Sequence, residues 1–447
     1  MVQSPSARVF LAKRIGGVMS IEERLATFAR GPVAASGARE MMRLSLFDWA
    51  VCGMAGVEEP LAAILRAKAL EEGGAAQAGL IGGGMAPMRV AALVNGAVSH
   101  ALDYDDTHFA HIGHPSVAVI PAALAVAEVH GAGLEEAIDA ALIGAEGSVR
   151  VGLWLGRDHY QEGFHQTATA GAFGAALAAG RIMGLSLEAL EQALGLAATR
   201  ASGLKSQFGT MGKPYNAGIA AETGIEAADL AARGFTSSAL GMSGPQGFGP
   251  THAGAGDEEA FEGLGAIWRM ESVSHKFHAC CHGLHATIEA LRALGLRADE
   301  VRAVTIGTHP RWLSVCNKPE PETGLGAKFS YRHVAAMVLA GVDTSAIVNF
   351  SDEMARRPDL VALRELVTVE GDARLSEKEA RVAVTVTSGA AHSGSFDLDA
   401  PMSLDDRGDK LRLKAAGLLG GPRAAALWEA VRAPDLAPLT KLLQTRS

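Results

Sequence analysis

From residue 38 to residue 234 the chain is a succession of alanine-rich runs separated by glycine or proline, and this pattern limits the fold more than any other feature. The runs are 38–56, 60–72, 88–102, 116–130, 134–154, 167–182, 187–200 and 217–234. Each is long enough for a helix and repeats its apolar residues at three- and four-residue spacing. Aromatic residues make up only 5% of the chain while hydrophobic residues make up 48%, so small aliphatic side chains must fill the interior. The distance between packed helix axes depends on the side chains between them. A compact bundle of many closely approaching helices is therefore expected.

The periodicity changes near residue 270. Val301–Ile306 and Arg381–Thr387 alternate with period two, and Leu366–Val369 is a third short strand candidate. Helical runs near 330–341 and 359–365 lie between them, and helical character returns at 405–418 and 422–432. The expected fold class is mainly α with an α+β part. A large all-helical domain takes 20–270 and 402–447, and a smaller α/β domain takes 271–401. A chain of 447 residues is too long for one simple core, which agrees with two domains. Ser20-Ile21-Glu22-Glu23 has the spacing of a capping box and marks the start of the fold. Residues 1–19 read as an N-terminal extension, with Met19 an alternative start. They lack the long apolar core of a signal peptide. No run of about 18 uninterrupted apolar residues occurs, so no membrane span is expected.

Charged residues are 20% of the chain, the formal net charge is −9, and there is no basic block. That balance argues against nucleic acid as a partner. It leaves room for an anionic substrate, because a local lysine and histidine pocket outweighs a distant surface charge. The four cysteines, Cys52, Cys280, Cys281 and Cys316, show no Cys-x-x-Cys spacing. Adjacent Cys280 and Cys281 are poor partners for an ordinary disulfide, and the expected location is a reducing cytoplasm.

The chemistry is concentrated in a few stretches. His100–His114 contains three aspartates and four histidines directly after an apolar helical run, and Pro115-Ser116 follows. Carboxylates and imidazoles at the end of a buried helix are equipment for proton transfer, although a helix C-terminus with solvated acids would look similar. Gly163-Phe164-His165-Gln166-Thr167 precedes an Ala/Gly-rich helix, where His165 could act chemically or Thr167 could cap. Lys213-Pro214 near another helix start makes a corner that suits an anion. His275–His285 is dense in histidine and cysteine, yet its spacing does not fit a zinc or iron–sulfur site. Lys276 is the stronger candidate there, and two lysines suit a polycarboxylate. Pro321–His333 precedes a helix and could close over a ligand or pack between domains. Gly82-Gly83-Gly84 lacks nucleotide-loop spacing and reads as a turn.

In this order the stretches resemble the MmgE/PrpD family. The resemblance rests on Asn95-Gly-Ala-Val-Ser-His100-Ala-Leu-Asp103-Tyr-Asp-Asp-Thr107, Gly113-His-Pro-Ser116, Gly163-Phe-His165, Gly209-Thr-Met-Gly-Lys213-Pro214, Gly234-Phe-Thr236, Lys276 with His285, and Ala327-Lys-Phe-Ser330. It implies a large helical domain with a smaller α/β lid domain, usually in a homodimer. It also implies chemistry without a metal or other cofactor on small di- and tricarboxylates. Activities in such families include 2-methylcitrate or citrate dehydration, cis-aconitate decarboxylation and iminodisuccinate epimerisation. The positions that match the family's pocket are Asp103, Thr107, His114, His165, Lys213 and Lys276. The chain departs from its relatives at Asn216, where decarboxylases and dehydratases often have His. It also departs at Cys281 and His333, where decarboxylases have His and Tyr, and at Gly326, where many relatives have Glu.

These residues suit the chemistry. Each named reaction passes through an enolate-like centre beside a carboxylate, which requires anion anchors, one proton carrier and fixed donors. Expected catalytic residues are His114 or His165 as the carrier, Asp103 to orient or tune a histidine, and Lys276. Thr107, Lys213, His285 and His333 are expected substrate contacts. A hydro-lyase of the 2-methylcitrate dehydratase type is the leading expectation. An epimerase of an iminodisuccinate-like dicarboxylate and a cis-aconitate-type decarboxylase are the alternatives.

Overall fold

Ser20 starts the first helix as its spacing predicts, its hydroxyl accepting from the Glu23 amide at 3.2 Å. The structure is a computed structural model and describes residues 19–445. All but Met19 of the expected 1–19 extension therefore lies outside the described residues. The chain continues through α1 (Ile21–Arg30), α2 (Ser36–Gly56), α3 (Pro60–Glu72), a hairpin of β1 (Ala78–Gly79) and β2 (Met85–Ala86), α4 (Met88–Ser99), α5 (Ser116–His130), α6 (Leu134–Glu162), α7 (Gln166–Ile182), α8 (Leu187–Arg200) and α9 (Gly212–Ala232). The expected runs 60–72, 116–130 and 187–200 match their helices at both ends. The run 134–154 continues to Glu162 across a break at Gly156, whose φ is 75°. Gly82, Gly83 and Gly84 form the turn between β1 and β2. Their φ values of 82°, 102° and 101° are open to glycine at little cost, which explains the triplet.

Helix α7 packs against α5, α6, α8 and α9. Its residues Gln166–Gly180 are all buried, so it has no solvent face and needs no amphipathic pattern. Glycines set the closeness of these contacts. A Cβ on Gly174 of α7 would lie 2.4 Å from the Gly144 carbonyl of α6, and one on Gly218 of α9 would lie 2.3 Å from the Leu93 carbonyl of α4. The expected close approach of helices through small residues takes this form.

A buried ion pair orders the segment that follows. Arg150 Nε meets Glu146 Oε1 at 2.6 Å inside α6, and both side chains are fully buried. The guanidinium donates to the carbonyls of Ala260 (2.9 Å) and Glu262 (2.7 Å), and Glu146 Oε2 accepts from the Met270 amide at 2.8 Å. The segment so pinned leads to Ser274, which exchanges backbone hydrogen bonds with Thr107 at 2.9 and 2.8 Å.

The chain divides into two compact units. One comprises the chain up to His275 together with Ala425 onward, and the other is Lys276–Ala424. The expected boundaries were 270/271 and 401/402. The helix at 404–419 accounts for most of the difference, because it groups with the second unit. That unit contains α10 (His285–Leu294), β3 (Val301–Thr308), α11 (Tyr331–Leu339), α12 (Pro358–Glu365), β4 (Val367–Gly371), β5 (Glu379–Val386), β6 (Ala391–Asp397) and α13 (Leu404–Leu419). The sheet order is β4-β3-β5-β6, with β3 and β4 parallel and the other pairs antiparallel. In β5, Ala380, Val382, Val384 and Val386 are buried, which is the alternation read in the sequence. Strand β6 was not expected. Its sequence, Ala-His-Ser-Gly-Ser-Phe-Asp, has no apolar alternation, and as an edge strand it is held by backbone pairing to β5. Among the described residues, no helix is long and apolar enough to cross a membrane.

Candidate acid–base site in the helical unit

The site is built on the loop between α4 and α5. His100 follows the last turn of α4, and the chain then takes a left-handed conformation at Asp103 (φ 52°) and again at Ile112 (φ 56°). Aspartate tolerates that region, but a β-branched isoleucine does so only at a cost, so the surrounding structure must hold this loop in shape. His108 is one residue that does so. His108 pairs its backbone with Gly113, its Nδ1 accepts from the His111 amide at 3.2 Å, and its Nε2 meets the Arg269 carbonyl at 3.0 Å. His111 is wholly buried, and burial followed by the charges of His108 and His114 lowers its pKa to about 3.

Asp105 is the hub of the chemistry. Its Oδ1 lies 2.8 Å from His100 Nδ1, and its Oδ2 lies 2.7 Å from His114 Nδ1. Burial pushes this carboxyl up, but the two imidazoles more than offset that and hold it well below the usual range. The other ring nitrogen of His114, Nε2, is 3.5 Å from Asp103 Oδ1. Lys213, at the start of α9, puts its Nζ 2.7 Å from the same Asp103 oxygen. The backbone amide of His114 donates to Thr167 Oγ1 at 3.0 Å. Thr167 thus secures the loop to the first turn of α7.

His165 occupies the N-cap position of α7, and its side chain makes no capping bond. Its ring stacks toward His100 with centroids 6.3 Å apart and meets the edge of Phe208 at 5.0 Å. Asn216 Nδ2 is 3.2 Å from His165 Nδ1 and 3.3 Å from the Leu204 carbonyl. Burial first, and then the positive charge of Lys213, holds the His165 pKa well below its ordinary value. Asp106 lies on the loop's inner side, where Ser116 donates to its Oδ2 at 2.5 Å. Burial raises Asp106 to about 7, opposed by the Ser116 hydrogen bond and assisted by the charges of Asp105 and Asp48.

The expected residues Asp103, His114, His165 and Lys213 therefore come together in the helical unit. Thr107 lies on the same loop, and its hydroxyl is 3.5 Å from the Ser274 carbonyl. Lys276, His285 and His333 belong to the second unit. There His285 heads α10, with its ring 4.5 Å from that of His282 and 4.9 Å from that of His278. His333 is fully buried in α11, and burial, then Arg364 and Arg357, lowers its pKa to about 4. His100, Asp105, Thr167 and Asn216 were not singled out as site residues. His100 and Asp105 stood in the quoted cluster, but three aspartates in a row of four residues look alike until the backbone turns. Asn216 was visible only as a departure from the family pattern.

One atom each from His100, Asp103, Asp105 and His114 lies within 4.8 Å of all the others, so this group could also hold a metal ion. His100 and His114 already face Asp105, and His114 also faces Asp103. Lys213 sits on Asp103 at 2.7 Å, so a bound cation would have to compete with an ammonium.

A helix-rich unit with an Asp–His–Lys site, followed along the chain by a smaller α/β unit, defines a two-domain protein with acid–base equipment in its helical part. The chain belongs to the MmgE/PrpD family. Residues 23–259 match the MmgE/PrpD N-terminal domain, and residues 278–435 match the MmgE/PrpD C-terminal domain. Among curated proteins it is similar to a cis-aconitate decarboxylase of Aspergillus terreus, 28% identical over 406 residues that cover 79% of this chain and 80% of that protein. It is also similar to the cis-aconitate decarboxylase of Homo sapiens, 27% identical over 391 residues that cover 80% of both chains. The cis-aconitate decarboxylase of Mus musculus is 26% identical over 392 residues, covering 80% of this chain and 79% of that protein.

Proposed function

We propose that this protein is a cofactor-independent lyase that acts on a small di- or tricarboxylate by moving a proton at the carbon next to a carboxylate. The observation that carries the reading is His114 held through Nδ1 by the buried Asp105, 2.7 Å away. Nδ1 is the ring nitrogen nearer a carboxylate, 2.7 Å from Asp105 against 3.5 Å from Nε2 to Asp103, so we assign the proton to Nδ1 and the lone pair to Nε2. Asp105 also stabilises the imidazolium formed once Nε2 takes a proton, as in other carboxylate–histidine pairs. Lys213 is a local cation beside this base, suited to a substrate carboxylate and to the charge that develops on the enolate.

In the leading reading the reaction is a dehydration. His114 Nε2 takes the proton, and the C–H electron pair enters an enolate on the neighbouring carboxylate. The enolate returns that pair to form the alkene as the hydroxyl on the next carbon leaves and takes a proton from solvent to become water, and His114 gives its proton back to solvent. The names of the relatives favour a second reading, decarboxylation. There the C–C pair is left behind as carbon dioxide departs, and His114, having first taken a proton from solvent at Nε2, delivers it to that carbon.

The test is to incubate the purified protein with a panel of di- and tricarboxylates and identify the products. A new conjugated alkene in the ultraviolet reports dehydration, and carbon dioxide release reports decarboxylation. Deuterium exchange without an alkene would move the assignment to an epimerase. No change in any polycarboxylate would sink the proposal. Lys276 is tested alongside, since Lys276→Ala is expected to raise KM if that lysine binds a carboxylate.

A further inference from the structure

We propose that Asn216 is a positioning residue that fixes His165 in its Nε2–H tautomer, so that His165 offers the substrate a hydrogen-bond donor while His114 moves the proton. This deepens, and rests on, the reading of the site as a polycarboxylate lyase.

The argument starts at the Asn216 amide. Its Nδ2 lies 3.3 Å from the Leu204 carbonyl and 3.2 Å from His165 Nδ1. A carbonyl oxygen can only accept, so the atom facing Leu204 is the amide NH2 and not the amide oxygen. The second hydrogen of that NH2 is then directed at His165 Nδ1, which must accept it. A neutral imidazole with an accepting Nδ1 carries its proton on Nε2. Placing a proton on Nδ1 as well would set two N–H groups against each other. Burial and the nearby Lys213 also disfavour the doubly protonated ring.

His114 has the opposite arrangement. Its Nδ1 lies nearer a carboxylate (Asp105, 2.7 Å) than its Nε2 does (Asp103, 3.5 Å), so the proton is assigned to Nδ1 and the lone pair to Nε2. One ring therefore presents a base and the other a donor. A carbon acid next to a carboxylate needs both, the base for the proton and the donor for the oxygen that gains charge. The departure at 216 gains meaning here. A histidine at that position could donate or accept according to its own tautomer. An asparagine turned by Leu204 can only donate to the ring.

The experiment reads the tautomer directly. Protein labelled with ¹⁵N-histidine is studied by long-range ¹H–¹⁵N correlation of the ring nitrogens, with His165 assigned through His165→Gln. The expected result is a protonated Nε2 and a bare Nδ1 on His165 in the wild type across neutral pH. Asn216→Asp, which can only accept, should reverse the pattern. It should also lower kcat by about 10²-fold or more, the scale of losing one such donor, with a smaller change in KM. A wild-type His165 protonated on Nδ1 would overturn the proposal without reference to any variant. So would an Asn216→Asp enzyme with the tautomer reversed and kcat intact. If the wild type turns over no polycarboxylate, the functional reading fails, and so does the role given to His165. The ring signal would still show whether Asn216 fixes the tautomer.

Discussion

Asp105 and Asp103 stand two residues apart, and their different environments define the site. Asp105 is buried between two imidazoles, whereas Asp103 turns to a left-handed φ of 52° and pairs with Lys213. Sequence spacing identified the cluster but could not rank its acids, because that ranking depends on a backbone turn with no signature of its own. The roles lead to a kinetic expectation. His114→Gln should keep the fold by circular dichroism and lose about 10² to 10⁴-fold in kcat, the usual contribution of a general acid–base group. Lys213→Ala should act mainly on KM, since an anchoring charge serves ground and transition states alike. Unchanged turnover in His114→Gln would remove it as the proton carrier. Asp106 gives a separate test. Its carboxyl titrates near 3.8 when unfolded and at about 7 when folded, so between those values the folded chain binds more protons. Stability should therefore fall as pH rises across that window, by a few kcal/mol at ~1.4 kcal/mol per unit. Asp106→Asn should remove this loss, so that its melting temperature gains on the wild type from the acid end of the window to the neutral end. A gap that does not change with pH would show that the carboxyl is not held neutral.

Helices α4 to α9 hold the site because they pack through glycine and alanine. The periodicity of those residues made the helices legible, several of them at both ends. What the periodicity could not show was the work done by residues at helix starts. Thr167 holds the His114 amide, and His165 takes the N-cap position without capping. Strand β6 stayed hidden for a different reason, since an edge strand of Ala, His, Ser and Gly carries no apolar alternation. The close α6–α7 approach can be tested at Gly174. Its added Cβ would meet a backbone carbonyl at 2.4 Å, and a backbone atom cannot swing aside as a side chain can. Gly174→Ala should cost about 1–3 kcal/mol of stability, the usual range for overpacking. A variant that melts with the wild type would show that the two helices separate freely.

For the molecule as a whole, the change from helical to alternating periodicity near residue 270 anticipated the presence of a smaller α/β part. Its limits were less legible, because the run at 405–418 looks like any other helix and only its contacts place it with the second unit. Four features make up the proposed chemistry: a base held by a buried carboxylate, a neighbouring donor, a local cation, and no requirement for a metal. The most direct test follows the C–H bond beside the carboxylate by ¹H NMR, with 2-methylcitrate, citrate and cis-aconitate in D₂O containing a chelator. The account predicts exchange or turnover at that carbon with at least one of these polycarboxylates, undiminished by the chelator and lost in His114→Gln. Activity that vanishes with the chelator and returns with iron or zinc would contradict it, as would exchange that persists in His114→Gln.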